Sequence, residues 1–165
     1  MMVNSILVPT DFSATSDAAV QYATQMALSF GARLYLLHVP GKTGEHFEAN
    51  FPIGQFESTV SERLSSLLTK EELARVRPEY VMRIGSPADE IARYADVCDA
   101  DLIIMGTHGR SGIAHAVMGS VAEHVLRVAP CPVLMVRSPK RATATDGATV
   151  AVPPPKKTLG LGSAT

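Results

Sequence analysis

The chain has 165 residues, 46% of them hydrophobic and 19% charged, and a formal net charge of −1 at pH 7. This is enough for one well-packed domain and short for two. No apolar run approaches the roughly 20 residues of a membrane span, so no membrane association is expected. The net charge is close to zero, so binding to a nucleic acid is not expected either. Cys98 and Cys131 show neither metal-ligand spacing nor a disulfide framework. We therefore expect buried, reduced thiols in a cytoplasmic protein.

Residues 138–165 differ in composition from the rest of the chain. They carry four basic residues and one acid, a net charge of +3, which leaves −4 on residues 1–137. They are rich in Ala, Thr, Pro, Gly and Ser, and they lack the apolar periodicity needed to offset the entropy of ordering. The sequence thus predicts one folded domain over 1–137 and a disordered basic tail over 138–165. A basic docking peptide is the alternative for the tail.

Strand and helix patterns alternate along the folded part. Strands are predicted over 5–8, 34–39, 79–84, 102–105 and 133–136. Helices are predicted from Ser13 to Gly31, over about 55–75, from Ser86-Pro87 onward and over about 120–129, with a loop over 41–54. The first helix has an apolar stripe made of Ala19, Tyr22, Ala23, Met26 and Ala27. Ser13 is typical of an N-cap and Gly31 of a helix end, and Pro87 suits a first helical position.

This alternation predicts an α/β fold with an open, doubly wound, five-stranded parallel sheet. Right-handed crossovers leave few topologies. If the first three strands are laid down in one direction and the last two in the other, the strand order is 3-2-1-4-5. Sheets of this kind bind ligands at the carboxyl ends of the strands where the order reverses. Asp11 follows the first strand and Gly106 follows the fourth, so both should lie at that reversal.

The residues after the fourth strand carry the strongest functional signal. Gly106 and Gly109 lie in a turn, where a backbone without Cβ atoms can approach a ligand closely. Gly119-Ser120 then opens a helix, whose free N–H groups and positive dipole end suit an anion. The pattern predicts a phosphate-binding loop. A flexible surface turn closed by a serine N-cap is the alternative.

Four segments together resemble the universal stress protein family. The spacing Gly106-x2-Gly109-x9-Gly119-Ser120 is similar to the nucleotide-binding motif of that family. The similar flanking segments are 8–13 (VPTDFS), 37–39 (LHV) and 131–136 (CPVLMV). The resemblance spans roughly residues 3–137. It implies a Rossmann-like domain, of the adenine nucleotide alpha-hydrolase type, that binds ATP, with magnesium as an option, and usually forms homodimers.

The resemblance also implies a nucleotide site. Asp11 and Val39 would hold the adenosine part, Val39 through its backbone, and the glycines would bring the chain against the ribose and the phosphates. The expected set is Pro9, Thr10, Asp11, Val39, Met105, Gly106, His108, Gly109, Arg110, Gly119, Ser120, Val121 and Ala122. Some ATP-binding members have a hydroxyl residue at the position of Ala122, so this chain would offer only the backbone N–H there.

Several of these residues have an alternative interpretation. Asp11 could cap the following helix, although Ser13 is equally placed to do so. His108 and Arg110 could contact phosphate, Arg110 as a fork-shaped donor, or be ordinary loop charges. His38, inside an apolar strand, is expected to be a hydrogen-bonded core histidine rather than a ligand.

The sequence favours a binding protein over an enzyme. Phosphoryl transfer needs a positioned nucleophile, a metal-holding carboxylate and cations, and Asp11 is the one carboxylate expected near the site. We predict no catalytic residue and no metal held by protein side chains alone. The expected function is an ATP-binding regulatory module of the stress response with at most slow hydrolysis. The alternatives are an enzyme of the same superfamily and a dimeric interaction or chaperone-like protein that does not use nucleotide.

The last predicted strand, 133–136, is apolar at every position although it should form a sheet edge. Exposed apolar edges invite pairing with another chain. Pro132 and Arg137 interrupt only the two ends of this strand. We therefore expect a symmetric homodimer with the two copies of the strand paired antiparallel. The alternative is that the tail folds back over the edge.

Overall fold

Strands and helices alternate along the described chain, as a parallel sheet requires. The computed structural model describes residues 2–40, 58, 62, 65–108 and 118–137. The strands are β1 (Ser5–Thr10), β2 (Arg33–His38), β3 (Glu79–Met82), β4 (Leu102–Gly106) and β5 (Val133–Val136). The helices are α1 (Ala14–Phe30), α2 (Lys70–Val76), α3 (Pro87–Val97) and α4 (Ser120–Val128). The predicted loop 41–54, part of the predicted helix 55–75 and the tail 138–165 lie outside the described residues. The prediction of one helix over about 55–75 is wrong, because a new helix begins after the N-cap Thr69.

The strands form one parallel sheet in the order β3-β2-β1-β4-β5. This confirms the predicted α/β class and strand order. From β1 the chain adds β2 and β3 toward one edge, then crosses back and adds β4 and β5 on the other side of β1. Crossovers between parallel strands are right-handed as a rule, so the helices of the two sets are expected on opposite faces of the sheet.

Each face of the sheet has its own hydrophobic cluster, since successive side chains of a strand point to opposite faces. On one face, Ile6 and Val8 of β1 pack with the buried side of α1. On the other face, Leu7 packs with Ile91 of α3 and Val125 of α4. Every residue of β1 is buried, so the central strand is covered on both sides.

Helix α1 begins and ends where the sequence predicts. Ser13 is the N-cap, and its hydroxyl accepts the N–H of Ser16 at 3.2 Å. Gly31 ends the helix with φ +69°, a left-handed conformation that glycine adopts without strain. Its N–H donates to the Ala27 carbonyl and satisfies one of the last free acceptors of the helix.

The predicted apolar stripe of α1 is wrong at one position. Ala19, Ala23 and Ala27 are buried, but Tyr22 is 51% exposed. Thr24 is fully buried instead. A threonine fits there because its hydroxyl donates to the Val20 carbonyl at 2.8 Å, so no polar group loses a partner.

Strand boundaries differ from the prediction by one residue at β2 and β4 and by two residues at β1 and β3. Strand β1 runs on through Pro9 to Thr10. The proline is tolerated because β1 pairs with β4 only at Ile6 and Leu7. At the level of Pro9 there is no hydrogen bond to β4 that would need the missing N–H. Strand β3 ends at Met82, and Ile84, expected inside the strand, is 76% exposed.

The start of α3 and the two cysteines match the prediction in part. Pro87 occupies the first turn of α3, but the hydroxyl of Ser86 makes no capping hydrogen bond. Both cysteines are free; Cys98 is buried, whereas Cys131 is half-buried. Burial raises the pKa of the Cys98 thiol to about 11 and also raises the pKa of Cys131. Both thiols are therefore protonated and weakly nucleophilic near neutral pH.

Candidate functional site

The candidate crevice lies between β1 and β4 at the carboxyl ends of the strands, where the pairing of these two strands has stopped. The two strands pair at Ile6–Leu102 and Leu7–Ile103, near their beginnings. Beyond that level β1 continues to Thr10 with β2 as its partner, and β4 continues to Gly106 with β5. This is the point where the strand order reverses, which is where open α/β sheets bind ligands.

The loop from β1 to α1 forms one wall of the crevice. The Thr10 hydroxyl accepts the N–H of Phe12 at 3.1 Å and lies 3.1 Å from the hydroxyl of Ser16. The Asp11 carboxylate accepts the N–H of Ser13 at 3.1 Å. Asp11 therefore supports the loop just before the helix, and Ser13, not Asp11, makes the N-cap bond to the first turn.

The end of β4 and the beginning of α4 form the opposite wall. Thr107, 5% exposed, donates its N–H to the Val136 carbonyl at 2.9 Å and accepts the N–H of Gly119 at 2.8 Å. The bond from Gly119 holds the N-cap residue of α4 beside the end of β4. The sequence interpretation did not include Thr107 in the site. A polar residue directly after a buried strand and between two glycine-containing segments was the signal for it.

Helix α4 begins without a side-chain cap. Gly119 is its N-cap residue and Ser120 its first helical residue, so the predicted alternative of a serine N-cap is wrong. The first N–H groups of an α-helix have no acceptor within the helix. Those of Ser120, Val121 and Ala122 lie at the positive end of the dipole, and a phosphate group fits this arrangement.

Several residues of the expected site have their side chains directed elsewhere. Met105 and Ala122 are 6% and 3% exposed and pack in the cluster under α3 and α4. Pro9 is buried as well. Only the backbone of these residues can face a ligand. The half-buried Val39 also packs against that cluster.

Gly106 has a packing reason in addition to the predicted ligand role. A Cβ atom on Gly106 would lie 2.9 Å from Cγ2 of Thr15 and 3.1 Å from the carbonyl carbon of Thr15. The end of β4 therefore approaches the first turn of α1 more closely than any other residue type allows.

The remaining predicted residues divide into described and undescribed ones. The ring of His108 lies with Nδ1 2.9 Å from the Thr107 hydroxyl, at the exit of β4. Gly109 and Arg110 lie outside the described residues. His38 is 8% exposed, and its Nδ1 lies 2.7 Å from the Thr10 carbonyl oxygen, which confirms the predicted hydrogen-bonded core histidine.

The described residues contain no cluster of three or more His, Cys, Asp or Glu side chains that could hold a metal ion. In the same part of the chain, no helix combines the length and apolar character of a membrane span.

The fold defines an open, doubly wound α/β protein, and the strand order places a candidate ligand site at the carboxyl ends of its strands. A family model described as the universal stress protein family matches residues 2–137. Universal stress protein MJ0531 of Methanocaldococcus jannaschii is 34% identical over 153 residues, which cover 85% of each chain. The chain belongs to the universal stress protein family.

Solved structures of universal stress proteins are also similar to this chain. A universal stress protein in complex with cAMP superposes with a TM-score of 0.60 and 26% identity, over 84% of this chain and 100% of that chain. A universal stress protein from Archaeoglobus fulgidus in complex with dAMP superposes with a TM-score of 0.55 and 25% identity, over 82% of this chain and 99% of that chain. Both ligands are adenine nucleotides.

Proposed function

We propose that this protein binds ATP in the crevice between β1 and β4 and acts as a nucleotide-responsive regulatory module of the stress response. The observation that carries the proposal is the start of α4, which has no side-chain cap and is held beside the end of β4 by the hydrogen bond from the Gly119 N–H to the Thr107 carbonyl. An anion placed there accepts backbone N–H groups that otherwise have no partner within the helix.

The orientation of the nucleotide follows from the strand order. With the phosphates at the start of α4, the ligand extends across the end of β1 toward β2, because the order there is β2-β1-β4. The ribose then lies near Asp11 and the base near the backbone of Val39. The complexes of related proteins with cAMP and dAMP support adenine as the base.

A regulatory binding role is favoured over catalysis. The phosphate-facing groups are backbone N–H donors, and the Asp11 carboxylate already accepts the N–H of Ser13. Magnesium, if it is used, would be held largely by the phosphates, since Mg²⁺ commonly binds through one or two carboxylates plus substrate phosphates. Hydrolysis is then slow at most.

We further propose a homodimer in the cytoplasm. Strand β5 lies at the edge of the sheet, and each of its residues, Val133–Val136, is only half-buried. Leu126 and Val128 of α4 are exposed as well. Pairing of two copies along β5 would cover such an edge. The two free thiols favour a reducing compartment.

Titration calorimetry on the full-length protein tests nucleotide binding. We expect ATP to bind with one site per chain and GTP to bind more weakly, and mass spectrometry of the purified protein to detect a bound adenine nucleotide. No heat of binding with ATP, in the presence and absence of magnesium, would refute the proposal and leave the nucleotide-independent interaction protein as the better description.

A further inference from the structure

His38 occupies an unusual position at the carboxyl edge of the sheet. It is the last residue of β2, opposite Thr10 of β1, and its side chain is buried. Its Nδ1 lies 2.7 Å from the carbonyl oxygen of Thr10. A carbonyl oxygen can only accept, so Nδ1 carries the proton of this bond. The bond ties the end of β2 to the residue directly before Asp11.

The same imidazole also contacts the residue directly after Asp11. The ring of Phe12 packs on the ring of His38 with centroids 4.6 Å apart and an angle of 39° between the planes. Phe12 has φ +62°, a left-handed conformation that is uncommon for a bulky side chain. Such a conformation persists only where the surroundings hold it, and here the Thr10 hydroxyl and the His38 ring do so.

The backbone of His38 extends this connection to the third strand. Its carbonyl accepts the N–H of Arg83 at 3.1 Å, one residue beyond the end of β3. The next residue along the chain is Val39. The imidazole and the backbone carbonyl of His38 thus help to fix the relative positions of Asp11 and Val39. These are the two residues proposed for the adenosine part of the ligand.

We infer that His38 is a positioning residue that orders the Thr10–Ser13 loop for recognition of adenosine. The inference rests on the proposed function but concerns a residue that touches no ligand. It acts on one half of the site only, because the phosphate half is built by α4 and Thr107, on the other side of the crevice.

Three variants separate the two contacts of the imidazole. His38→Phe keeps an aromatic ring under Phe12 but cannot donate to the Thr10 carbonyl. His38→Asn replaces the ring but keeps a donor N–H close to the position of Nδ1. Leu36→Val, which lies on the same strand and faces the same side as His38, is the matched control for a loss of stability without a change in the loop.

Affinities for ATP, adenosine and inorganic triphosphate provide the first readout. We expect His38→Phe to weaken ATP and adenosine alike, by about tenfold, because binding must then order a loop that the hydrogen bond no longer holds in the free protein. Triphosphate should bind unchanged. His38→Asn should restore ATP affinity to within about threefold of the wild type, and Leu36→Val should bind all three ligands normally.

Amide hydrogen exchange at Phe12 and Ser13 in the ligand-free protein provides the second readout. Exchange should be faster in His38→Phe than in His38→Asn or Leu36→Val. Unchanged adenosine affinity in His38→Phe, or an equal loss for triphosphate, would overturn the positioning role. If the wild type binds no nucleotide, the proposed function fails and with it the role in adenosine recognition. Hydrogen exchange then tests the ordering of the loop by itself: faster exchange confined to His38→Phe supports that ordering, and equal rates in all variants overturn it.

Discussion

A substitution at Gly119 should affect ATP binding and the stability of the fold in different directions. Its φ of −76° and ψ of 150° are open to any residue, so a side chain introduces no backbone strain there. An aspartate would cap the first N–H groups of α4 and change helix stability by only a few tenths of a kcal/mol relative to glycine. The same carboxylate would stand where a phosphate is proposed.

We therefore expect Gly119→Asp to keep or raise the melting temperature while lowering ATP affinity by at least about a hundredfold, because like charges meet in a partly buried site. Ser120→Ala is the matched control and should weaken binding by only about fivefold, for one exposed hydroxyl. Calorimetry and thermal unfolding measure both effects. An unchanged ATP affinity in Gly119→Asp would place the phosphates elsewhere.

Gly106 should prove to be a packing residue as well as a site residue. Gly106→Ala brings a methyl group against Cγ2 and the backbone of Thr15, at 2.9 Å and 3.1 Å. We expect a loss of about 1–3 kcal/mol in the free energy of unfolding, the usual size of an overpacking effect. Urea denaturation measures it.

The second variant Gly106→Ala/Thr15→Ser removes the nearest atom, Cγ2, but leaves the backbone contact. It should recover part of the lost stability, so the two substitutions should not be additive. Full additivity would contradict the packing explanation.

At the scale of elements, α2 contains a pH-dependent cap. The N–H and hydroxyl of Thr69 donate to the Glu72 carboxylate at 2.8 Å and 2.9 Å, and the Glu72 N–H donates back to the hydroxyl at 3.2 Å. The amide of Gln25 on α1 donates to the same carboxylate at 2.9 Å. The bonds from Thr69 lower the pKa of Glu72 below its ordinary value of 4.5.

Because the folded pKa is lowered, the carboxylate stabilises the folded state fully above pH 4.5, and this contribution is lost as the pH falls through the lowered pKa. Glutamine at this position keeps a capping side chain but no charge. We expect the difference in free energy of unfolding between wild type and Glu72→Gln to shrink on acidification below pH 4.5. Equilibrium unfolding across that range checks this, and a difference independent of pH would contradict it.

At the scale of the whole molecule, the position of β5 at the edge of the described sheet leads to a prediction about assembly. The carbonyls of Pro132 and Val136 accept N–H groups from Ile103 and Thr107, so they point toward β4. With a period of two residues, the N–H of Met135 points away from β4, toward the open edge. Met135→Pro thus removes an edge donor without removing a bond to β4.

We expect the wild type to be a dimer by light scattering at micromolar concentration and Met135→Pro to be a monomer. Met135→Leu, which conserves the volume, should stay dimeric. Removal of residues 138–165 should leave the dimer intact. A wild-type monomer that aggregates after this truncation would instead show that the tail covers the edge.

The expected rate of ATP hydrolysis also concerns the molecule as a whole. A site that binds phosphates through backbone donors stabilises them without activating water, so turnover of ATP should lie below about 1 per second, the lower end of typical enzymes. A steady-state phosphate-release assay measures it. Faster turnover that is abolished in Asp11→Asn would move the protein into the enzyme class.

The sequence by itself determined the class of fold and the order of the strands, and it indicated the region of the candidate site. Continuous apolar strands separated by capped helices leave few arrangements, and Ser13 and Gly31 mark the ends of α1 through local chemistry alone. The start of α4 is also readable from the local sequence, because Gly119 directly precedes a short amphipathic helix.

Only the tertiary structure decided which side chains of these segments face the core and which positions need a glycine for packing. Tyr22 is exposed and Thr24 buried because the axis of α1 relative to the sheet selects the buried face. Gly106 meets Thr15, and His38 meets Thr10 and Phe12, across contacts between residues far apart in the chain. No local pattern encodes such contacts, since they arise when the strands align in register and the helices pack over them.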